Sequence, residues 1–320
     1  MGAGSVGCLV GGRLQAAGAR VDYIGRPRLL DRLREHGLRL TDLDGGQCHL
    51  PPASLNLATD VPPGARPDLV LLCVKSRDTV AAALTLGQRL PPGTVVLSLQ
   101  NGLGNAGQAQ AVAPSLDVVP AMVPFNIAEL GPGHFHRGTS GQPAARLHPQ
   151  LQHLAGLFER AGLPLALHAD LRPVQLGKLL LNLNNPVNAL SGLPLRDQLL
   201  HAGHRRQFAA LMEEALALMR ADGTEPARLT PLSWNALIRI LRLPTPLFRL
   251  IAARMLRIDP KARSSMADDL AHGRPTEIDA LCGEVVRLAE RLGRQAPLNR
   301  AMVQRVRQAE TTTGRAAGAP

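Results

Sequence analysis

Residues 1–24 read MGAGSVGCLVGGRLQAAGARVDYI. Gly2, Gly4 and Gly7 stand at G-x-G-x-x-G spacing, an apolar run rich in small residues continues to Gly18, and residues 21–24 have the character of a strand. In a strand-to-helix turn the first such glycine makes the bend, the second lets backbone approach a pyrophosphate, and the third lets helix and sheet pack closely. The first-turn amides of the helix then donate to the phosphates. Gly2, Ala3, Gly4, Ser5, Val6 and Gly7 are therefore the expected cofactor cradle of a Rossmann-like, doubly wound sheet. Such a turn follows a strand, yet only Met1 stands before Gly2, so the first strand is missing and a translation start upstream of Met1 is expected.

The next turn bears on which dinucleotide is held. An acid there bonds the ribose 2′-hydroxyl of NAD, whereas arginine accommodates the 2′-phosphate of NADP. The chain continues Gly25-Arg26-Pro27-Arg28, with no acid after Asp22, so NADP is expected with Arg26 as the phosphate clamp. Cations at a helix start are disfavoured unless an anion lies nearby, which strengthens that reading. A helix at 28–36 and a hairpin-like excursion at 38–50 around Asp44-Gly45-Gly46 follow. The runs DLVLLCVK at 68–75 and TVVLSLQN at 94–101 read as buried parallel strands that deliver Lys75 and Asn101 to the carboxyl edge of the sheet, where ligands of such sheets bind. Further strands are expected at 118–126, 134–139 and 163–169, the later ones antiparallel. His134 and His136 share a strand face without a third ligand, so no metal site is expected.

From Leu171 onward the pattern turns helical, with helices expected at 174–190, 204–221, 232–243, 246–256, 265–271, 276–292 and 298–308. The division is an NADP-binding α/β domain at 1–169, an all-α substrate domain at 170–310 and a disordered tail at 311–320. Within LGKLLLNLNNPVNALSG at 176–192, Lys178 is the one charge. Asn182 lies four residues on and Asn185 seven, so one helical face carries all three. An ammonium beside amides on a cleft-facing side can donate to a developing oxyanion; a lysine whose methylenes lie on apolar surface with its head in water is the plain alternative. A second polar island runs Ser264-Ser265-Met266, then Pro275-Thr276-Glu277-Ile278-Asp279, where capping by Thr276 and the helix dipole could by themselves explain Glu277.

Composition narrows the partners. A chain of 320 residues is long for a single core, and 36 basic against 25 acidic residues give a net charge of +11, attractive to anionic cofactors and acidic substrates. Aromatic residues at 2% are too few for a base-stacking platform, so nucleic acid is not expected. Cys8, Cys48, Cys73 and Cys282 form no CxxC pair and read as reduced thiols. No apolar run of membrane-spanning length is found, and a cytoplasmic enzyme is expected. The arginine-rich segment 237–257 could touch a membrane or a partner subunit, but a core-facing helix with solvated arginines is preferred.

Taken in order, these motifs resemble the ketopantoate reductase (2-dehydropantoate 2-reductase) family over nearly the whole chain. The resemblance rests on Gly2-x-Gly4-x-x-Gly7, Val74-Lys75-Ser76, Gln100-Asn101-Gly102, the Lys178 helix with Asn182, Ser264-Ser265-Met266, and Pro275-Thr276-Glu277-Ile278-Asp279. It implies NADPH-dependent reduction of 2-dehydropantoate to pantoate, in pantothenate and coenzyme A biosynthesis. Lys178 would be the catalytic lysine, and Asn182 and Asn185 would hold the substrate's hydroxyl end, with Asn184 left as an alternative to Asn185. Ser265 would contact the substrate carboxylate, Glu277 would be the acid near lysine and substrate, and Lys75 and Asn101 would stand at the nicotinamide end. Two further readings share these residues: a reductase of another 2-keto acid, and an NADP-binding regulatory protein without turnover. The expected partner is a small 2-keto acid, and a homodimer is compatible with the sequence.

Overall fold

The structure is a computed structural model that describes residues 1–253, 256 and 262–317. It forms two compact units, Met1–Leu171 and Arg172–Pro320. The first is α/β and the second helical.

In the first unit α1 (Ser5–Ala16), β1 (Asp22–Ile24), α2 (Pro27–His36), β2 (Leu38–Asp42), β3 (Gln47–Leu50), β4 (Asn56–Ala58) and β5 (Val70–Leu72) come first. Then follow α3 (Thr79–Arg89), β6 (Val95–Ser98), α4 (Asn105–Val112), β7 (Asp117–Met122), β8 (Ile127–Gly131) and β9 (His134–Arg137). The unit closes with β10 (Ala144–Arg146), α5 (Pro149–His153), α6 (Ala155–Arg160) and β11 (Ala166–His168). Five strands run in the order β11-β10-β7-β6-β5, with β5, β6 and β7 parallel and the β10–β11 pair antiparallel to β7. Neighbouring residues on one strand feed opposite cores: Leu97 and Val119 pack on the α1 side, Val96 and Val118 on the side of α3 and α4. That alternation is what a sheet covered on both faces requires.

β1 and β4 form a separate parallel pair. Met1–Ala3 bridge it to β5, through Met1 N to Leu71 O (2.9 Å) and Cys73 N to Met1 O (2.9 Å) on one side, and the Gly2 and Ala3 amides to Ile24 O on the other. The α-ammonium of Met1 is buried there, and loss of water pushes its pKa down. The expected hairpin is present as β2 and β3, but it grows into a four-stranded sheet, β3-β2-β9-β8, which the sequence reading did not anticipate. Leu38, Leu40 and Phe135 turn its apolar face toward α1, where a Cβ on Gly12 would stand 2.7 Å from both leucine side chains. All four cysteines are free thiols.

The second unit runs α7 (Arg172–Asn182), α8 (Asn184–Ser191), α9 (Leu195–Leu200), α10 (Ala202–Ala221), α11 (Trp234–Arg242), α12 (Thr245–Ile251), α13 (Ser265–Ala271), a 3-10 turn (Ile278–Ala280), α14 (Cys282–Arg291) and α15 (Pro297–Ala317). Helix α10 is its hub, packing against α7, α8, α9, α11, α14 and α15. Four expectations change. The single helix at 174–190 is two, because Pro186 has no amide to give the carbonyl four residues back, and the chain breaks at Leu183. The helix at 276–292 is a 3-10 turn and α14, separated at Leu281 (φ −113°, ψ −93°). The helix at 246–256 ends at Ile251, and the stretch 254–261, apart from residue 256, lies outside the described residues. The tail expected to be irregular from 311 is helical to Ala317, while 318–320 lie outside the described residues. Among the described residues no helix is long and apolar enough to cross a membrane.

Arg205, on α10, is fully buried, and its guanidinium bonds to carbonyls and a hydroxyl. Its guanidinium donates to the carbonyls of Leu241 (3.1 Å), Leu199 (2.9 Å) and Leu243 (2.8 Å) and to Thr245 Oγ1 (3.2 Å), and it lies 4.2 Å from the centre of the Phe248 ring. Carbonyls at the ends of α9 and α11 carry the negative end of the helix dipole, so one cation satisfies both. Arg205→Met, which leaves those buried carbonyls without a donor, is expected to destabilise the chain by about 3 kcal/mol in urea titrations; a change under about 0.5 kcal/mol would contradict this account.

Candidate active site

The expected site residues are divided between the two units. In the first, the Gly2–Gly4 turn is held between strand ends. Gly2 has φ +92°, and a Cβ there would stand 2.6 Å from Val74 N, so only glycine fits against the end of β5. A Cβ on Gly7 would lie 2.3 Å from Gly2 O, which is the close helix–turn packing expected of the third glycine. A Cβ on Gly4, in contrast, would meet no atom within 4 Å. Helix α1 starts beside that open space with no side-chain cap and no acid in its first turn. The amides of Ser5 and Val6 have no carbonyl within the helix to reach, so a pyrophosphate fits here on both space and polarity.

Lys75 and Asn101 come to the same sheet edge, each three residues past the end of one of two neighbouring strands. Gly102, at φ +92°, makes the turn after Asn101. Arg26 is exposed at the start of α2, and its guanidinium is bonded to Asp78 Oδ2 at 2.8 Å. Asp78 thus supplies the anion that the position of Arg26 calls for, so the helix-dipole argument alone does not demand a bound phosphate. The sequence reading missed Asp78, which is 52 residues away.

In the second unit Lys178 sits on α7 between buried Gly177 and Leu179. A Cβ on Gly177 would stand 2.4 Å from Ala227 O and 3.3 Å from the Trp234 ring, so α7 is pressed against residues 227–234 on that side. Lys178 is half-buried, and loss of water pushes its pKa down to about 8. An ammonium held in bulk water keeps the ordinary value of about 10.4, so the lowered value goes with a lysine drawn partly out of water.

Asn182 is buried at the end of α7. Of the two candidates that follow, Asn184 exchanges two amide hydrogen bonds with buried Gln198 (3.2 and 3.1 Å). Asn185 is half-buried, and among the described residues its side-chain amide has no such partner. Ser264 is the one that works structurally, capping α13 by accepting from Ala267 N and donating to Asn185 O, while Asn188 Oδ1 accepts from its amide at 2.9 Å. That clamp fixes α13 on α8 and leaves Ser265 exposed at the first position of α13. Glu277 precedes the 3-10 turn, and Thr276 Oγ1 accepts the Ile278 amide, which is the capping contact expected of Thr276. Its segment is pinned to α15 by Thr276 N donating to Glu310 and by the Arg307–Asp279 ion pair. Helix α15 also packs against α8 and α13, so Asn185, Ser265 and Glu277 stand on elements that share one neighbour.

With this geometry in view, the comparisons with known proteins are specific. The profile of Ketopantoate reductase PanE/ApbA matches residues 1–144, and that of its C-terminal part matches residues 170–310. The chain belongs to the ketopantoate reductase family. A 2-dehydropantoate 2-reductase of Halobacterium salinarum is 31% identical over 316 residues, 97% of each chain. A PanE/ApbA family ketopantoate reductase of Ralstonia eutropha superposes with TM-score 0.81 at 34% identity, covering 98% of each chain. D-mandelate dehydrogenase, solved with NADH, superposes with TM-score 0.77 over 98% of this chain and 97% of its own; at 19% identity it shows the fold alone.

A half-buried ammonium is a stability liability with a definite pH signature. The folded chain binds the Lys178 proton less tightly than the unfolded chain, so its cost is fully present below about pH 8 and fades as pH rises toward the ordinary lysine value. Lys178→Met is expected to be more stable than the parent by about 1–3 kcal/mol at pH 7, an advantage that shrinks by pH 10 in paired thermal melts. Equal stability at both pH values would contradict the burial.

Proposed function

We propose that the chain reduces the ketone of 2-dehydropantoate to the secondary alcohol of pantoate with NADPH, a step of pantothenate and coenzyme A synthesis. Lys178 carries this reading, a lysine whose proton is loosened by loss of water on a helix face shared with amides, in a chain of the reductase family. NADPH, when bound on the glycine turn, supplies the hydride for the ketone carbon. The Lys178 ammonium donates a hydrogen bond to the keto oxygen and passes its proton there as negative charge develops. Its lowered pKa makes that transfer easier than from an ordinary lysine while leaving it mostly charged at pH 7. Asn182 and Asn185 are assigned to the hydroxyl end of the substrate, with Glu277 beside them as an acceptor. Ser265, exposed where α13 begins, is assigned to the carboxylate. Lys75 and Asn101 are assigned to the nicotinamide end, and Arg26 to the 2′-phosphate, for which it must exchange Asp78. Four free cysteines support a cytoplasmic location, and a homodimer is the assembly we assign.

Adding ketopantoate is expected to oxidise NADPH, read at the nicotinamide absorbance, and Lys178→Ala to lower kcat/KM at least about hundredfold. Turnover only with a different keto acid, or full activity in Lys178→Ala, would refute the assignment. Arg26→Ala is expected to raise KM for NADPH about tenfold and leave KM for NADH unchanged. Equal effects on the two cofactors would remove Arg26 from the clamp.

A further inference from the structure

The loops that carry Lys75 and Asn101 meet over a closed cluster of buried polar side chains. Thr79, fully buried at the first position of α3, donates to Asn105 Oδ1 (3.0 Å) and accepts from Gln100 Nε2 (2.7 Å). Gln100 Nε2 also donates to Val74 O (2.9 Å), and its Oε1 accepts from Ser98 Oγ (3.0 Å). Asn105 Nδ2 donates to Ser76 Oγ (3.1 Å) and to Asn101 O (2.5 Å). Thr79, Ser98, Gln100 and Asn105 are all buried. Both amide donors of Gln100 and of Asn105 are used, as are both amide oxygens and the Thr79 hydroxyl in each sense. The cluster therefore has one hydrogen-bond arrangement, and breaking any link leaves a buried polar group without a partner.

Its outputs fall on the residues assigned to the cofactor. Val74 and Ser76 flank Lys75 on both sides, and the third output is the Asn101 carbonyl itself. An apolar filling of the same space could hold α3 against α4 about as well, since a satisfied buried polar group gives little net stability over an isosteric apolar one. It could not hold two loop backbones in fixed register. We propose that Thr79, Gln100 and Asn105 are positioning residues that set Lys75 and Asn101 against the nicotinamide end of the cofactor, an inference that rests on the function proposed above.

The test uses Thr79→Val, which keeps the shape and removes the hydroxyl, and Thr79→Ser, which restores it. Amide hydrogen exchange on the nucleotide-free chain is expected to quicken at least tenfold in residues 74–76 and 101–104 of Thr79→Val while the interior of α3 is unchanged. Its kcat with NADPH and ketopantoate is expected to fall at least tenfold, with KM for ketopantoate within threefold of the parent and Thr79→Ser within threefold in kcat. Should Thr79→Val fail to fold, Asn105→Ala, which frees Ser76 and the Asn101 carbonyl at an already uncapped helix start, is read in the same way. Unchanged loop exchange in a folded variant overturns the inference whether or not the parent chain turns over. A melting-temperature loss with kcat intact, or a kcat loss that Thr79→Ser does not rescue, overturns it as well. Quickened loops in a parent chain that neither binds NADPH nor reduces a keto acid leave the loop clamp standing and refute the proposed function instead.

Discussion

Loss of water around the half-buried Lys178 ammonium is the constraint on which the proposed chemistry depends. A lysine so placed gives up part of its affinity for its proton, which costs stability at neutral pH and prepares the group to polarise an oxygen and release a proton to it. The surrounding helices keep the arrangement from relaxing. Gly177 lets α7 press against Ala227 and Trp234, Pro186 breaks the helix so that α8 starts afresh at Asn184, and α10 packs behind both.

The two units solve the same problem with the same chemistry. Groups that touch small polar molecules have to be held by others that do not. In the second unit the Asn184–Gln198 pair and the Asn188–Ser264 clamp take up the amides nearest the site, leaving Asn185 and Ser265 without such duties. In the first, buried Gln100 and Asn105 hold the Val74 carbonyl and the Ser76 hydroxyl on either side of Lys75, and the carbonyl of Asn101. Buried amides suit this work because each has donors and an acceptor in fixed geometry, so a fully satisfied one leaves its neighbours little freedom.

Much of the scaffold was legible in the sequence. The glycine triplet, the apolar runs before Lys75 and Asn101, and the change to helical patterning after Leu171 each reflect burial with a clear period, and each stands where it was expected. Strands β4, β8 and β10 and helix α9 are three to six residues long, too short for a period to show. The break at Leu183 could have been read from Pro186, four residues beyond the carbonyl that loses its donor. Partners were the harder matter. Thr79, Gln100, Asn105 and Arg205 have the composition of surface residues, and nothing local distinguishes buried Arg205 from the other arginines. The Arg26–Asp78 pair joins residues 52 positions apart, so the sequence alone suggested a phosphate where the fold already supplies a carboxylate.

The central claim is that a loosened proton on Lys178 does the acid's work, and its most direct test is the pH dependence of kcat/KM for ketopantoate, which reports groups of the free enzyme. Since the ammonium is the working form, kcat/KM is expected to hold steady up to about pH 8 and then to fall, approaching tenfold for each further unit. A profile that stays flat to pH 10 would show that the proton comes from elsewhere and would contradict the account.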